Sequence, residues 1–281
     1  MTSTASSYRI GDMPVHRLGF GAMHLTGDDV WGEPDNRAAA LTVARRAVEL
    51  GLNFIDTADS YGPGVSERIL AEALYPYPDD LLIATKAGQS RPSRQEWRPL
   101  GRPEYLRQQA ELSLQRLRIE IIDLFFLHRI DPQVPRADQF GALRQLQDEG
   151  KVRHIGLSEV TVDDIEEARS LIDVVSVQNL YNLAQRRYDD VIDYCERDGI
   201  AFVAWLPIAS GAHARPDGPL ATVAKELGAT PAQTALAWLL HRSPAVIPIP
   251  GTKSVAHLQE NAEAAAIELT AEQFERVSQA V

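Results

Sequence analysis

The chain predicts an α/β protein built as a single (β/α)8 barrel, and three observations carry the prediction. Eight short apolar segments recur along it: RLGFGAM, NFIDT, LLIATK, IIDLFFLH, VRHIGLS, VVSVQN, AFVAWLP and VIPIP. Stretches with helical hydrophobic spacing separate them. No linker or low-complexity run divides the 281 residues, a length that one such barrel fills. The segments are rich in Val, Ile and Phe and too apolar to be half exposed, as parallel strands covered on both faces should be. Eight alternations favour closure over an open doubly wound sheet. One domain over 1–281 is the expected organisation.

Taken in order, YRIGDMPVHRL predicts a β-hairpin turned at Gly11 and Asp12, placed to plug the bottom of the barrel. The first helix is DNRAAALTVARRAVELG, where Leu41, Ala44 and Val48 share a face, Arg45 and Arg46 lie off it, and Gly51 ends it. Later helices open on capping residues. Thr161 with Asp164, Thr230 with Gln233 and Thr270 with Gln273 each place a hydroxyl three residues before a side chain that can reach back. Pro231 suits the first turn of its helix. Two long loops, GQSRPSRQEWRPLGRP after the third strand and IASGAHARPDGP after the seventh, follow the carboxyl ends of strands. Barrel enzymes place their sites on that face.

Composition narrows the function classes. The hydrophobic fraction of 44% and charged fraction of 24% are those of a globular protein that can bury a large core. A formal net charge of −11 disfavours nucleic acid as a partner, while a local basic site for one small anion stays compatible with it. The single cysteine, Cys195, rules out an intrachain disulfide and a zinc cluster, and reads as an inert buried thiol. MTSTASSYRIGD has neither the basic start nor the apolar core of a signal peptide, and no apolar run reaches membrane-spanning length. A cytoplasmic monomer acting on a small molecule, with no nucleic acid, membrane or metal partner, is the expectation.

Polar residues stand at the carboxyl end of nearly every strand. Asp56 ends the second, Lys86 the third, His128 the fourth and Ser158 the fifth. Gln178 and Asn179 end the sixth, Trp205 the seventh, and Gly251, Thr252 and Lys253 follow the eighth. Taken singly each has a bland reading: a lysine can pair with any acid, and a lone histidine after FFL is commonly a core residue. Their convergence on one rim calls for a shared purpose.

Asp56 and Tyr61 in FIDTADSYG, Lys86 in IATKAG and His128 in LFFLHR resemble the catalytic tetrad of the aldo-keto reductases. The resemblance runs from LGFGAM to PGTKSVAHLQENAEA, and LGFGAM, EALYPY and SVAHLQEN are similar to bacterial pyridoxal reductases. It implies NADPH-dependent reduction of a carbonyl, with Tyr61 as acid, Lys86 as the cation that supports its phenolate, Asp56 as partner of Lys86, and His128 orienting the substrate oxygen. A free phenol, with a pKa near 10, is a sluggish donor at neutral pH without such a cation.

The resemblance also implies a cofactor site. GFGAMH lacks the third glycine and following acid of a Rossmann motif, so the nicotinamide is expected across the barrel mouth. Gly21, Ala22 and Met23 match backbone near its ribose, and Ser158, Glu159 and Gln178 match the carboxamide contacts. Glu159 stands where many members have Asn, so it can accept but not donate. Trp205 matches an aromatic that stacks on the nicotinamide. Gly251, Thr252, Lys253 and Ser254 match the 2′-phosphate segment, which favours NADP over NAD. His257 stands where an arginine often clasps that phosphate, and Glu260 and Asn261 match adenine contacts. Met23, His24, Trp31, Tyr61, Trp97, His128 and Trp205 are expected around the substrate, which suits aromatic or heterocyclic aldehydes. Two other readings stay open here: a non-catalytic nicotinamide-binding subunit on the same fold, and an aldolase using Lys86 as a Schiff base.

Overall fold

In the computed structural model, which describes residues 7–281, the hairpin is β1 (Ser7–Ile10) paired antiparallel with β2 (Met13–His16). Eight parallel strands follow: β3 (Phe20–Gly21), β4 (Phe54–Asp56), β5 (Leu82–Ala87), β8 (Ile122–Leu127), β9 (Val152–Ser158), β10 (Val174–Leu180), β11 (Ala201–Trp205) and β12 (Val246–Pro248). Each of the eight apolar segments holds one of them, with β5 and β10 running one residue past the segment's end. The intervening β6 (Gln89–Ser93) and β7 (Glu96–Pro99) form a second antiparallel hairpin, so the loop after the third barrel strand is ordered rather than slack.

Closure is made by backbone. The Gly19 and Gly21 N–H groups donate to the Pro248 and Pro250 carbonyls at 3.0 and 3.3 Å, joining the first barrel strand to the last. A Cβ on Gly21 would come within 2.7 Å of the Ile249 oxygen, and one on Gly251 within 2.6 Å of the Gly21 oxygen. The seam therefore admits only glycine at these two places.

The hairpin does plug the barrel. Ile10 and Val15 are fully buried among Phe54, Leu82, Leu124, Phe126, Val203 and Ile247. Each such side chain contributes about 1.5–3 kcal/mol by leaving water. Asp12 at the turn is held by Arg153 and by His154 Nε2, the latter at 2.6 Å.

The outer layer holds α1 (Arg37–Glu49), α2 (Val65–Leu74), α3 (Pro103–Leu117), α4 (Arg136–Asp148), α5 (Val162–Arg169), α6 (Asp189–Asp198), α7 (Ala221–Leu227), α8 (Pro231–Arg242), α9 (Val255–Glu263) and α10 (Ala271–Gln279). These ten exceed one per barrel strand because α7 and α10 are additions. The predicted face of α1 does meet the core: Ala44 is buried with Ala40, Val43 and Ala47, and Leu41 and Val48 pack half-buried beside them. Small residues at its centre let the helix approach closely. All three predicted capping boxes close in both directions. Cys195 is buried in α6, where burial pushes its thiol up to about 12. No helix among the described residues is long and apolar enough to cross a membrane.

Candidate active site

The strand ends bring the predicted residues together. After β4 the chain stays against β5, because Thr57 N–H donates to the Ala84 carbonyl at 2.8 Å and Asp59 N–H to the Lys86 carbonyl at 3.1 Å. The chain then turns at Gly62, with φ +69°, whose N–H donates to the Val30 carbonyl. That path folds Tyr61 back over Lys86.

Lys86 is wholly buried. Its ammonium donates to Asp56 Oδ1 at 2.6 Å and to the Thr57 carbonyl at 2.7 Å, and lies 3.5 Å from the Tyr61 hydroxyl. The Gln178 amide donates to Asp56 Oδ2 at 2.7 Å, so both carboxylate oxygens are engaged. Burial is the largest single influence and opposes the ammonium, but the charges and hydrogen bonds of Asp56 and Tyr61 together outweigh it and hold the Lys86 pKa above its ordinary value. Burial also pushes the Asp56 carboxyl up, against Lys86 and Gln178. With an ammonium and an amide on its two oxygens, the pair stands as carboxylate and ammonium at neutral pH.

Burial lifts the Tyr61 phenol above its usual value, and Lys86 offsets this only in part. The group thus holds its proton across the neutral range. His128 packs edge-on against the Tyr61 ring, with centroids 5.9 Å apart, and its Nδ1 is 3.3 Å from the Ser60 hydroxyl. Burial first, then Lys86 and Arg129, holds its pKa well below the ordinary histidine value. The imidazole is neutral at pH 7.

The remaining predicted residues divide. Ser158, buried at the end of β9, accepts from Arg129 Nη1 at 3.1 Å. Glu159 lies in the left-handed region, and its carboxylate is fully engaged within the chain. Oε1 accepts from Leu180 N–H and, at 2.8 Å, from the Trp205 indole. Oε2 accepts from Arg187 at 2.8 Å and from the Tyr188 hydroxyl at 3.2 Å. It therefore fixes Trp205 rather than standing open at the mouth. Asn179 is turned to Val160, bonding both its N–H and its carbonyl.

A cleft of about 350 Å3 runs between the loops after β3 and β12, lined by Met23, His24, Asp28, Thr252 and Lys253 among others. Lys253 reaches across it to Asp28 at 3.2 Å. Ser254 caps α9 by accepting from the His257 N–H. His257 is exposed and Asn261 buried, while Glu260 accepts from Thr230 at 2.6 Å. Trp31 and Trp97 meet over one group, the Arg91 guanidinium, at 5.2 and 3.6 Å from their ring centroids. Arg91 also donates to the Asp29, Val30, Ser60 and Arg94 carbonyls, so it staples three rim loops together.

Reading the sequence missed Thr57, Ser60, Arg91, Arg129 and Asp28. A backbone carbonyl has no sequence signature. Arg129 does have one, since a cation directly after a rim histidine is a polar residue at a strand end like the others.

Comparisons with known proteins show the family. The Aldo/keto reductase family model matches residues 17–281. An uncharacterized oxidoreductase of Schizosaccharomyces pombe is 53% identical over 277 residues, covering 99% of this chain and 90% of its own. Pyridoxine 4-dehydrogenase of Escherichia coli is 44% identical over 275 residues, covering 96% of each. Among solved structures, a glycerol dehydrogenase from Gluconobacter oxydans superposes with a TM-score of 0.89 at 25% identity, covering 99% of this chain and 95% of that one. An aldo-keto reductase from Klebsiella pneumoniae in complex with NADPH gives 0.81 at 25% identity, covering 99% and 94%. A barrel whose rim joins Asp56, Tyr61, Lys86 and His128, and whose sequence matches over nearly its whole length, belongs to the aldo/keto reductase family of oxidoreductases.

Proposed function

We propose that this chain reduces a small aldehyde or ketone to the alcohol with NADPH, Tyr61 supplying the proton. The observation that carries the reading is the buried Lys86 ammonium held between Asp56 and the Tyr61 hydroxyl. The residues present fit a nicotinamide dinucleotide. Lys253 and Thr252 line a cleft at the start of α9, where a cation and helix amides suit a phosphate. The Trp205 indole is pinned by its N–H, so its ring plane is set. Gln178 has its amide donor on Asp56, which leaves its carbonyl to accept from the cofactor's carboxamide. Family membership and the NADPH complex of the Klebsiella pneumoniae relative support the cofactor.

When bound, NADPH supplies the hydride. The chain's own residues manage the oxygen. His128, neutral and with Nδ1 turned to Ser60, directs Nε2 at the carbonyl oxygen and orients it. Tyr61 donates its proton as negative charge builds on that oxygen. Lys86 stabilises the phenolate left behind, and Asp56 keeps the lysine charged in a site without water to do so. Aromatic or heterocyclic aldehydes, pyridoxal among them, are the proposed substrates, supported by the relative named pyridoxine 4-dehydrogenase.

The test is NADPH oxidation across a panel of aldehydes and ketones that includes pyridoxal. Turnover of pyridoxal or aromatic aldehydes is expected. Tight NADPH binding with no turnover across the panel would instead support the non-catalytic reading.

A further inference from the structure

We propose that Arg129 binds an anionic oxygen on the substrate, so that the preferred carbonyl compounds carry a carboxylate or an ionised phenol close to the carbonyl. This deepens the reductase reading and rests on it. Arg129 follows His128 directly, and one nitrogen, Nη1, makes all of its hydrogen bonds among the described residues, to the His128 carbonyl and to Ser158 Oγ. Nε and Nη2 have no partner there and are not sealed from solvent. No carboxylate lies within ion-pair distance of this half-buried guanidinium among the described residues.

Two of the rim carboxylates are already committed. Asp56 holds Lys86 and Gln178, and Glu159 holds Leu180, Trp205, Arg187 and Tyr188. Other partly buried arginines of the chain hold a carboxylate or at least two backbone carbonyls, although Nε of Arg17 and of Arg91 is buried without a partner. Arg116 pairs with Glu67, and Arg242 with Asp189 and Asp193. Arg17, Arg91 and Arg186 lack a carboxylate but donate to two or more backbone carbonyls. A half-buried guanidinium with its fork open suits a planar anion, which it matches with two parallel N–H bonds. Its contacts with the His128 carbonyl and with Ser158 put it on the same strand-end rim as His128.

The experiment compares wild type, Arg129→Met and Arg129→Lys with NADPH and four aldehydes: benzaldehyde, 2-hydroxybenzaldehyde, 3-carboxybenzaldehyde and 4-carboxybenzaldehyde. The hydroxy and carboxy arms separate a phenolate from a carboxylate. We expect wild type to favour at least one charged aldehyde over benzaldehyde by tenfold or more in kcat/KM, chiefly through KM. Arg129→Met should cut that ratio at least tenfold, and Arg129→Lys should restore part of it. Binding of benzoate against benzamide to each protein with NADP, read by calorimetry, asks the same question without turnover. It stands even if no aldehyde is reduced, so failure of the reductase reading is seen separately. No preference for a charged aldehyde or for benzoate in wild type would overturn the proposal. So would an Arg129→Met protein that loses benzaldehyde and charged substrates in equal measure, or one whose main defect is NADPH affinity.

Discussion

The Lys86 ammonium lies 2.6 Å from Asp56 with both groups out of water, and the same nitrogen is 3.5 Å from the Tyr61 hydroxyl. A buried ion pair is a poor device for stability alone, because desolvating both charges cancels much of their attraction. Under the proposed function the charge has a use, since it would stabilise the Tyr61 phenolate. Asp56→Asn would leave an unbalanced ammonium in the barrel mouth. It is expected to cost about 3–5 kcal/mol in urea unfolding and to suppress carbonyl reduction. Adding Lys86→Met should recover much of that stability and none of the activity. A single variant as stable as wild type would contradict the pairing.

Tyr61→Phe removes one hydroxyl and keeps the ring that packs on His128. Carbonyl reduction should fall by roughly 100-fold or more, the usual size of a general-acid contribution. NADPH affinity, followed by nucleotide fluorescence, should stay near wild type. Full turnover in this variant would remove Tyr61 from the acid's role.

His128 links stability to pH. Its folded pKa is depressed by burial, Lys86 and Arg129, while the unfolded value is about 6.5. Above about 6.5 neither state binds the proton, and the histidine has no effect on the balance. As pH falls below that, the unfolded chain takes up a proton that the folded chain refuses, so stability is lost. Wild type should therefore lose more stability than His128→Asn between pH 7.5 and 5.5, measured by urea midpoints. Parallel curves would show that the imidazole is not held neutral.

Lys253 and Asp28 form a pair 57% and 76% exposed, which water and salt screen to below about 1 kcal/mol. The lysine can therefore leave Asp28 for a phosphate at little cost. Lys253→Ala should weaken NADPH more than NADH, and Asp28→Asn should tighten NADPH modestly, most at low salt. Equal losses for the two nucleotides would place the 2′-phosphate elsewhere.

Local chemistry was legible to different depths. The strand ends at Asp56, Lys86 and Ser158 follow from apolar runs that stop at a polar residue, and three capping boxes follow from residue spacing alone. Glu159 and Trp205 were legible as neighbours of the mouth, but not as partners of each other. Trp31 and Trp97 were legible as rim aromatics, but the guanidinium between them was not.

The amino-acid order by itself determined the eight strands, the plugging hairpin and the polar ring at the strand ends, because periodicity, caps and turn residues act over a few neighbouring positions. Only the tertiary structure decided which polar groups are saturated and which stay open. Glu159 is closed by four donors, Asp56 by Lys86 and Gln178, and Arg129 keeps half its fork. Those outcomes depend on partners far apart in the chain and on how tightly closure at Gly21 and Gly251 draws the rim together.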